Sequence, residues 1–178
     1  MQSNIFLIGY RGTGKTTVGR LLAQRLGWNY IDADPYLEGK AGKSIRQIFS
    51  EHGEAHFRGL ESQTLRELAG QPNHVLSLGG GVIMRNENRR VLEGGWVVWL
   101  TADVDTIADR LATDPTTIER RPNLTTGGIQ EIRDLLEERE PLYGACANLT
   151  LDTRERSPES LAETILSEWT SSGSKSSG

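Results

Sequence analysis

Gly9-Tyr10-Arg11-Gly12-Thr13-Gly14-Lys15-Thr16 fits the pattern G-x-x-x-x-G-K-T, directly behind the apolar run Ile5-Phe6-Leu7-Ile8. Glycines at this spacing let the backbone curl until its N–H groups, and the positive end of the following helix, face a polyphosphate. In such a P-loop the Lys15 ammonium reaches the β- and γ-phosphates and the Thr16 hydroxyl holds Mg²⁺. Gly12, Thr13, Gly14 and Thr17 complete the expected phosphate cradle. A glycine-rich turn with an incidental lysine is the plainer alternative, but the strand before it and the helix after it favour the P-loop. The chain is expected to bind a nucleoside triphosphate.

Other groups able to do chemistry also follow apolar runs. Asp32 and Asp34 stand at the end of Asn29–Asp32. There, one carboxylate can organise Mg²⁺ water and the other can accept hydrogen bonds from substrate hydroxyls. Asp34 before Pro35 equally fits a helix N-cap with proline at N1; Asp32 has no such second reading. Ser77-Leu78-Gly79-Gly80-Gly81 places three glycines where a ligand can approach backbone N–H groups without a Cβ in the way. A plain flexible turn would use the same residues. Arg58 and Glu61, spaced i,i+3, read by themselves as a solvated helix pair. Arg139 lies between Glu138 and Glu140 and first suggests ordinary helix pairing. Arg120-Arg121-Pro122 sits in a long polar stretch from which an arginine could swing over a transferring phosphoryl group. His52, His56 and His74 lack metal-ligand spacing. Cys146, in an apolar helical stretch, reads as a small core residue.

The elements that must position these groups alternate. Apolar runs predict strands near Asn4–Gly9, Asn29–Asp32, Val75–Leu78, Trp96–Leu100 and Asn148–Leu151. Between them lie helical periods: Val18, Leu21, Leu22 and Leu26; Ile129, Ile132, Leu135, Leu136 and Leu142; Leu161, Ile165, Leu166 and Trp169. Alternating β and α units imply an α/β protein whose parallel sheet is covered by helices on both faces. Ligands in such sheets sit at the carboxyl ends of the strands, where the groups above fall. Residues 113–128 are polar, carry Pro115, Pro122 and two glycines, and show no apolar period. A loop of that length in a compact domain is usually functional, here expected as a mobile lid.

The 178 residues suit one domain, expected over 1–169, with a disordered Ser/Gly-rich tail at 170–178. A net charge of −4 with no basic block argues against a nucleic-acid or anionic-membrane partner. Arginines outnumber lysines sixteen to four, which suits an anionic-substrate site but is also what genomic codon bias would produce. A single cysteine rules out an intrachain disulfide and fits a reducing compartment. No apolar run approaches the ~20 residues that span a bilayer. The expectation is a cytoplasmic monomer acting on small molecules.

In order and spacing, these pieces resemble the shikimate kinases, a family of small P-loop kinases. The motifs that carry the resemblance are the P-loop, the D-x-D at Asp32/Asp34 and G-E-x-x-F-R-x-x-E at Gly53–Glu61. S-L-G-G-G at Ser77–Gly81, R-P at Arg121-Pro122 and R-x-P-L-Y at Arg139–Tyr143 complete the set. The resemblance implies the P-loop kinase fold with a five-stranded parallel sheet, and transfer of the γ-phosphoryl group of MgATP to the 3-hydroxyl of shikimate. It implies that Asp34 binds shikimate hydroxyls, that Arg58 and Arg139 grip its carboxylate, and that Gly79, Gly80 and Gly81 line the same pocket. Thr16 and, through water, Asp32 would serve Mg²⁺, while Lys15 and a lid arginine stabilise the transferred group. Arg110 and the loop at Thr153-Arg154 would flank adenine. The register of the R-P pair favours Arg121 as the lid arginine, with Arg120 as the alternative. Family lids often read R-P-L-L, whereas here Arg121-Pro122-Asn123-Leu124 follows a longer run from Asp114.

Overall fold

The computed structural model describes residues 4–114 and 128–174. Five strands, β1 (Asn4–Ile8), β2 (Asn29–Asp32), β3 (His74–Ser77), β4 (Trp96–Thr101) and β5 (Leu149–Asp152), form one parallel sheet in the order β2-β3-β1-β4-β5. The helices among the described residues are α1 (Lys15–Leu26), α2 (Ala33–Ala41), α3 (Ile45–Ala69), α4 (Asn86–Leu92), α5 (Val104–Thr113), α6 (Gly128–Cys146) and α7 (Pro158–Ser174).

Central β1 is buried along its whole length, which is why it reads as an unbroken apolar run rather than an alternating one. Ile5 and Leu7 face one way and pack with Val18 and Leu22 of α1 and with Leu161 and Ile165 of α7. Phe6 and Ile8 face the other way, against Leu65 and Leu68 of α3 and Tyr143 of α6. A separate cluster of Tyr10, Ile107, Ile132 and Leu136 joins the loop after β1 to α5 and α6.

Strand ends differ from the sequence reading by a residue or so, for local reasons. β1 stops at Ile8 because Gly9 turns to φ +135°. β3 begins at His74, whose N–H donates to the Asn4 side chain at 3.0 Å. Asn148 stays outside β5 although it continues the ladder in kind. Its side-chain oxygen accepts from Val97 N–H at 2.7 Å, while its own N–H donates to the Val97 carbonyl at 2.8 Å.

Two expectations about the helices are corrected. The buried stripe of α6 is Ile132, Leu136, Arg139 and Tyr143, whereas Ile129, expected on the apolar face, is exposed at the first turn. The last helix runs to Ser174, so residues 170–174 of the expected disordered tail are helical. Serine hydroxyls bonding back to carbonyls one turn earlier, as from Ser171 to Ser167, accompany that extension. α3 is two helical pieces meeting at Gly53, whose φ of 78° and ψ of 175° is a glycine conformation. The expected lid falls largely on residues 115–127, outside the described residues, as do Arg120 and Arg121.

Candidate active site

The order β2-β3-β1-β4-β5 reverses direction at β1, and a cavity of roughly 540 Å³ opens there beyond the carboxyl ends of the strands. That is an ordinary size for a small-molecule site.

The loop after β1 forms one wall. A Cβ on Gly9 would lie 2.2 Å from the Leu100 carbonyl oxygen of β4, so only glycine lets the loop leave the sheet this closely. Gly14 takes φ 90° as the N-cap of α1 and supplies no side-chain cap. A helix start without a side-chain cap suits an anion. The Thr13 hydroxyl donates to the Tyr10 carbonyl at 2.7 Å, and Lys15 Nζ donates to the carbonyls of Gly9 and Tyr10, each at 2.8 Å. The ammonium is thus held across the mouth of the loop, within the cavity wall formed by Tyr10–Thr17.

Of the two aspartates, it is Asp32 and not Asp34 that caps a helix. Asp32, extended at φ −92° and ψ 121°, is the N-cap of α2, and its carboxylate accepts from Asp34 N–H at 3.2 Å. Asp34 lies inside the first turn, so the capping reading passes from Asp34 to Asp32. The reason is reach: a carboxylate at the strand tip naturally meets the N–H two residues on. Both aspartates line the cavity.

Ser77, Leu78, Gly79 and Gly80 line it from β3, and α6 supplies the buried Arg139. The expected pairing of Arg139 with its neighbouring glutamates is not made among the described residues. Its guanidinium instead lies 6.0 Å from the Tyr10 ring centroid, and its buried Nε has no hydrogen-bond partner among the described residues. A buried guanidinium short of acceptors, facing a cavity, is suited to an anion.

Arg58 is also more than a surface pair. Its side chain is 13% exposed and that of Glu61 7%, with 2.8 Å between them; Glu54 joins at 3.2 Å. Burial works against the Arg58 charge, but the two carboxylates outweigh it and hold the guanidinium above the usual arginine range. It presses on the backbone of Gly81, where a Cβ would fall 2.4 Å from a guanidinium nitrogen. Arg58 thus stands behind Gly81, the last glycine of the turn, and both lie one layer back from the cavity wall rather than on it, where the resemblance had placed them.

On the opposite side, Arg110 of α5 donates to the Gly12 carbonyl at 3.0 Å and to the Thr153 hydroxyl and carbonyl at 3.0 and 3.1 Å. It ties the P-loop to the segment after β5. Arg154 does not reach the cavity wall; it is exposed and paired with Asp152 at 2.5 Å and Asp103 at 2.9 Å. Arg156 lines the cavity instead, with its guanidinium on the Ser160 carbonyl at 3.2 Å. Nothing in the sequence distinguishes Arg156 among the arginines. Tyr10 and Arg11, also on the wall, occupy variable P-loop positions, where the motif carries no signal for side chains.

A family model described as shikimate kinase matches residues 11–170. The chain belongs to the shikimate kinase family. A shikimate kinase of Rhodopirellula baltica is 43% identical over 165 residues, covering 92% of this chain and 88% of that protein. A shikimate kinase of Acinetobacter baumannii, solved in complex with shikimate, superposes with a TM-score of 0.89 at 40% identity, covering 96% of this chain and 94% of that one. A gluconokinase of Sinorhizobium meliloti, at TM-score 0.69 and 17% identity, shares the fold. The shikimate kinase motifs read from the sequence thus belong to a chain with the P-loop kinase architecture throughout its described length.

Proposed function

We propose that this chain transfers the γ-phosphoryl group of MgATP to the 3-hydroxyl of shikimate, giving shikimate 3-phosphate and ADP. The observation that carries the reading is the convergence, on one cavity, of a P-loop, two aspartates, a glycine turn and a buried arginine whose Nε has no hydrogen-bond partner among the described residues.

The P-loop amides and the start of α1 bind the phosphates, and Lys15 exchanges its loop carbonyls for β- and γ-phosphate oxygens. Thr16 and Asp32 are hard oxygen donors on the same wall and fit a magnesium site, Asp32 acting through water. When bound, the ion supplies neutralisation of phosphate charge. Asp34 accepts hydrogen bonds from shikimate hydroxyls and orients the attacking oxygen. Arg139, on the wall, and Arg58, reaching past Gly81 from behind the turn, hold the carboxylate, and Gly79–Gly81 let the ring lie against backbone. Arg110 flanks the adenine, with Arg154 on the same side of the site. Arg121 completes charge neutralisation over the transferred group. Phosphoryl transfer passes through a loose transition state, so placement and charge carry most of the catalysis.

Coupled ADP release with MgATP, comparing shikimate, gluconate and AMP at equal concentration, tests this. Release that depends on shikimate alone is the expected result. Release with gluconate or AMP instead would move the chain to another acceptor.

A further inference from the structure

The last residue of R-x-P-L-Y has no part in the reaction outlined above. Tyr143 is fully buried on α6, one turn beyond Arg139, and its ring stacks on Trp99 at 5.6 Å between centroids. Its hydroxyl donates to the Gly80 carbonyl at 2.6 Å. The carbonyls on either side are occupied differently: Gly79 accepts from Val82 N–H at 3.0 Å and Gly81 from Met84 N–H at 3.1 Å, both within the short turn that follows. The Gly80 carbonyl points out of that turn, and Tyr143 is what receives it. A peptide is planar and trans, so fixing this oxygen toward α6 fixes the Gly81 N–H in the opposite direction.

Arg139 leans on the same residue. A Cβ on Gly80 would meet the Tyr143 hydroxyl at 3.2 Å and an Arg139 guanidinium nitrogen at 3.3 Å. On the far side, Gly81 is in contact with Arg58. One helix face thus presents an arginine at position i and a strut at i+4 to a single peptide of the glycine turn.

We infer that Tyr143 is a positioning residue for the acceptor: its hydroxyl sets the Gly80–Gly81 peptide, and through it the spacing between the turn, Arg139 and Arg58. This rests on the reading of those groups as the carboxylate site. A hydroxyl that only satisfied its own burial would affect stability alone. One that sets the turn should affect the acceptor and spare the nucleotide.

Tyr143→Phe keeps the stacked ring and removes the one bond. With the purified wild type as reference, the expected result is a five- to twenty-fold rise in KM for shikimate. KM for ATP should stay within two-fold and kcat should fall less than three-fold. A double-mutant cycle with Arg139→Lys should be non-additive in KM for shikimate, because both residues act through Gly80. Unchanged KM for shikimate, equal losses toward both substrates, or collapse of the thermal transition would overturn the inference. Absence of shikimate-dependent ADP release in the wild type would instead overturn the acceptor reading on which it rests.

Discussion

Gly81→Ala tests whether the arginine behind the glycine turn matters to the acceptor. Gly81 has φ −92°, so alanine meets no backbone strain there and the perturbation is purely steric. The new Cβ would fall 2.4, 2.6 and 2.8 Å from three atoms of the Arg58 guanidinium, whereas ordinary contact begins at 3.4 Å. The guanidinium must therefore retreat by about 1 Å, enough to spoil a hydrogen bond whose geometry weakens steeply with distance and angle. Its 2.8 Å bond to Glu61 ties the displaced group to a buried carboxylate, so the retreat is not free. Loss of one charge-assisted hydrogen bond to the substrate carboxylate is worth about 1.5–3 kcal/mol. At 1.4 kcal/mol per tenfold, that is roughly a 10- to 150-fold weaker hold on shikimate. Steady-state kinetics with each substrate varied should show this rise in KM for shikimate with KM for ATP nearly unchanged. Circular dichroism melting checks that the fold survives. A well-folded Gly81→Ala enzyme with wild-type KM for shikimate would refute the assignment of Arg58 to the carboxylate.

Lys15→Ala should abolish shikimate-dependent ADP release while the melting transition persists, since the loop carbonyls that accept from the ammonium can be served by water instead. Gly53→Ala should cost about 1–3 kcal/mol, because φ 78° with ψ 175° lies in a region essentially reserved for glycine; denaturant unfolding reads the loss. Asp103 caps α5 through Thr106 N–H and pairs with Arg154, which together hold its carboxyl down to about 2. A depressed carboxyl contributes stability that is complete above its unfolded value of ~3.9 and is lost as pH falls toward 2. Melting temperatures of the wild type should therefore drop more between pH 4 and pH 2 than those of Asp103→Asn.

The difference between what is local and what is distant runs through the whole site. The P-loop was legible because its work is done by backbone: glycines at fixed spacing between a strand and a helix dictate the curl, whatever surrounds them. The strands were legible for a similar reason, since a central parallel strand buried on both faces must be apolar throughout, as Ile5–Ile8 is. The capping of α2 was nearly legible; Asp32 and Asp34 are both chemically able to cap, and only the backbone path off β2 selects Asp32. The arginines were not. Arg58, Arg139 and Arg154 all sit beside acidic residues in sequence, and all three could have been surface pairs. Packing of α3 and α6 buries the first two against the glycine turn, while Arg154 stays paired in solvent at the end of β5. Arg156 reaches the cavity because α7 begins there, a fact held in the placement of one helix against the sheet. The chain alone determined which groups could bind phosphate and in which order strands and helices would follow. The tertiary structure decided which like-charged side chains lose their water and face a ligand, because desolvation depends on neighbours that lie far away along the chain.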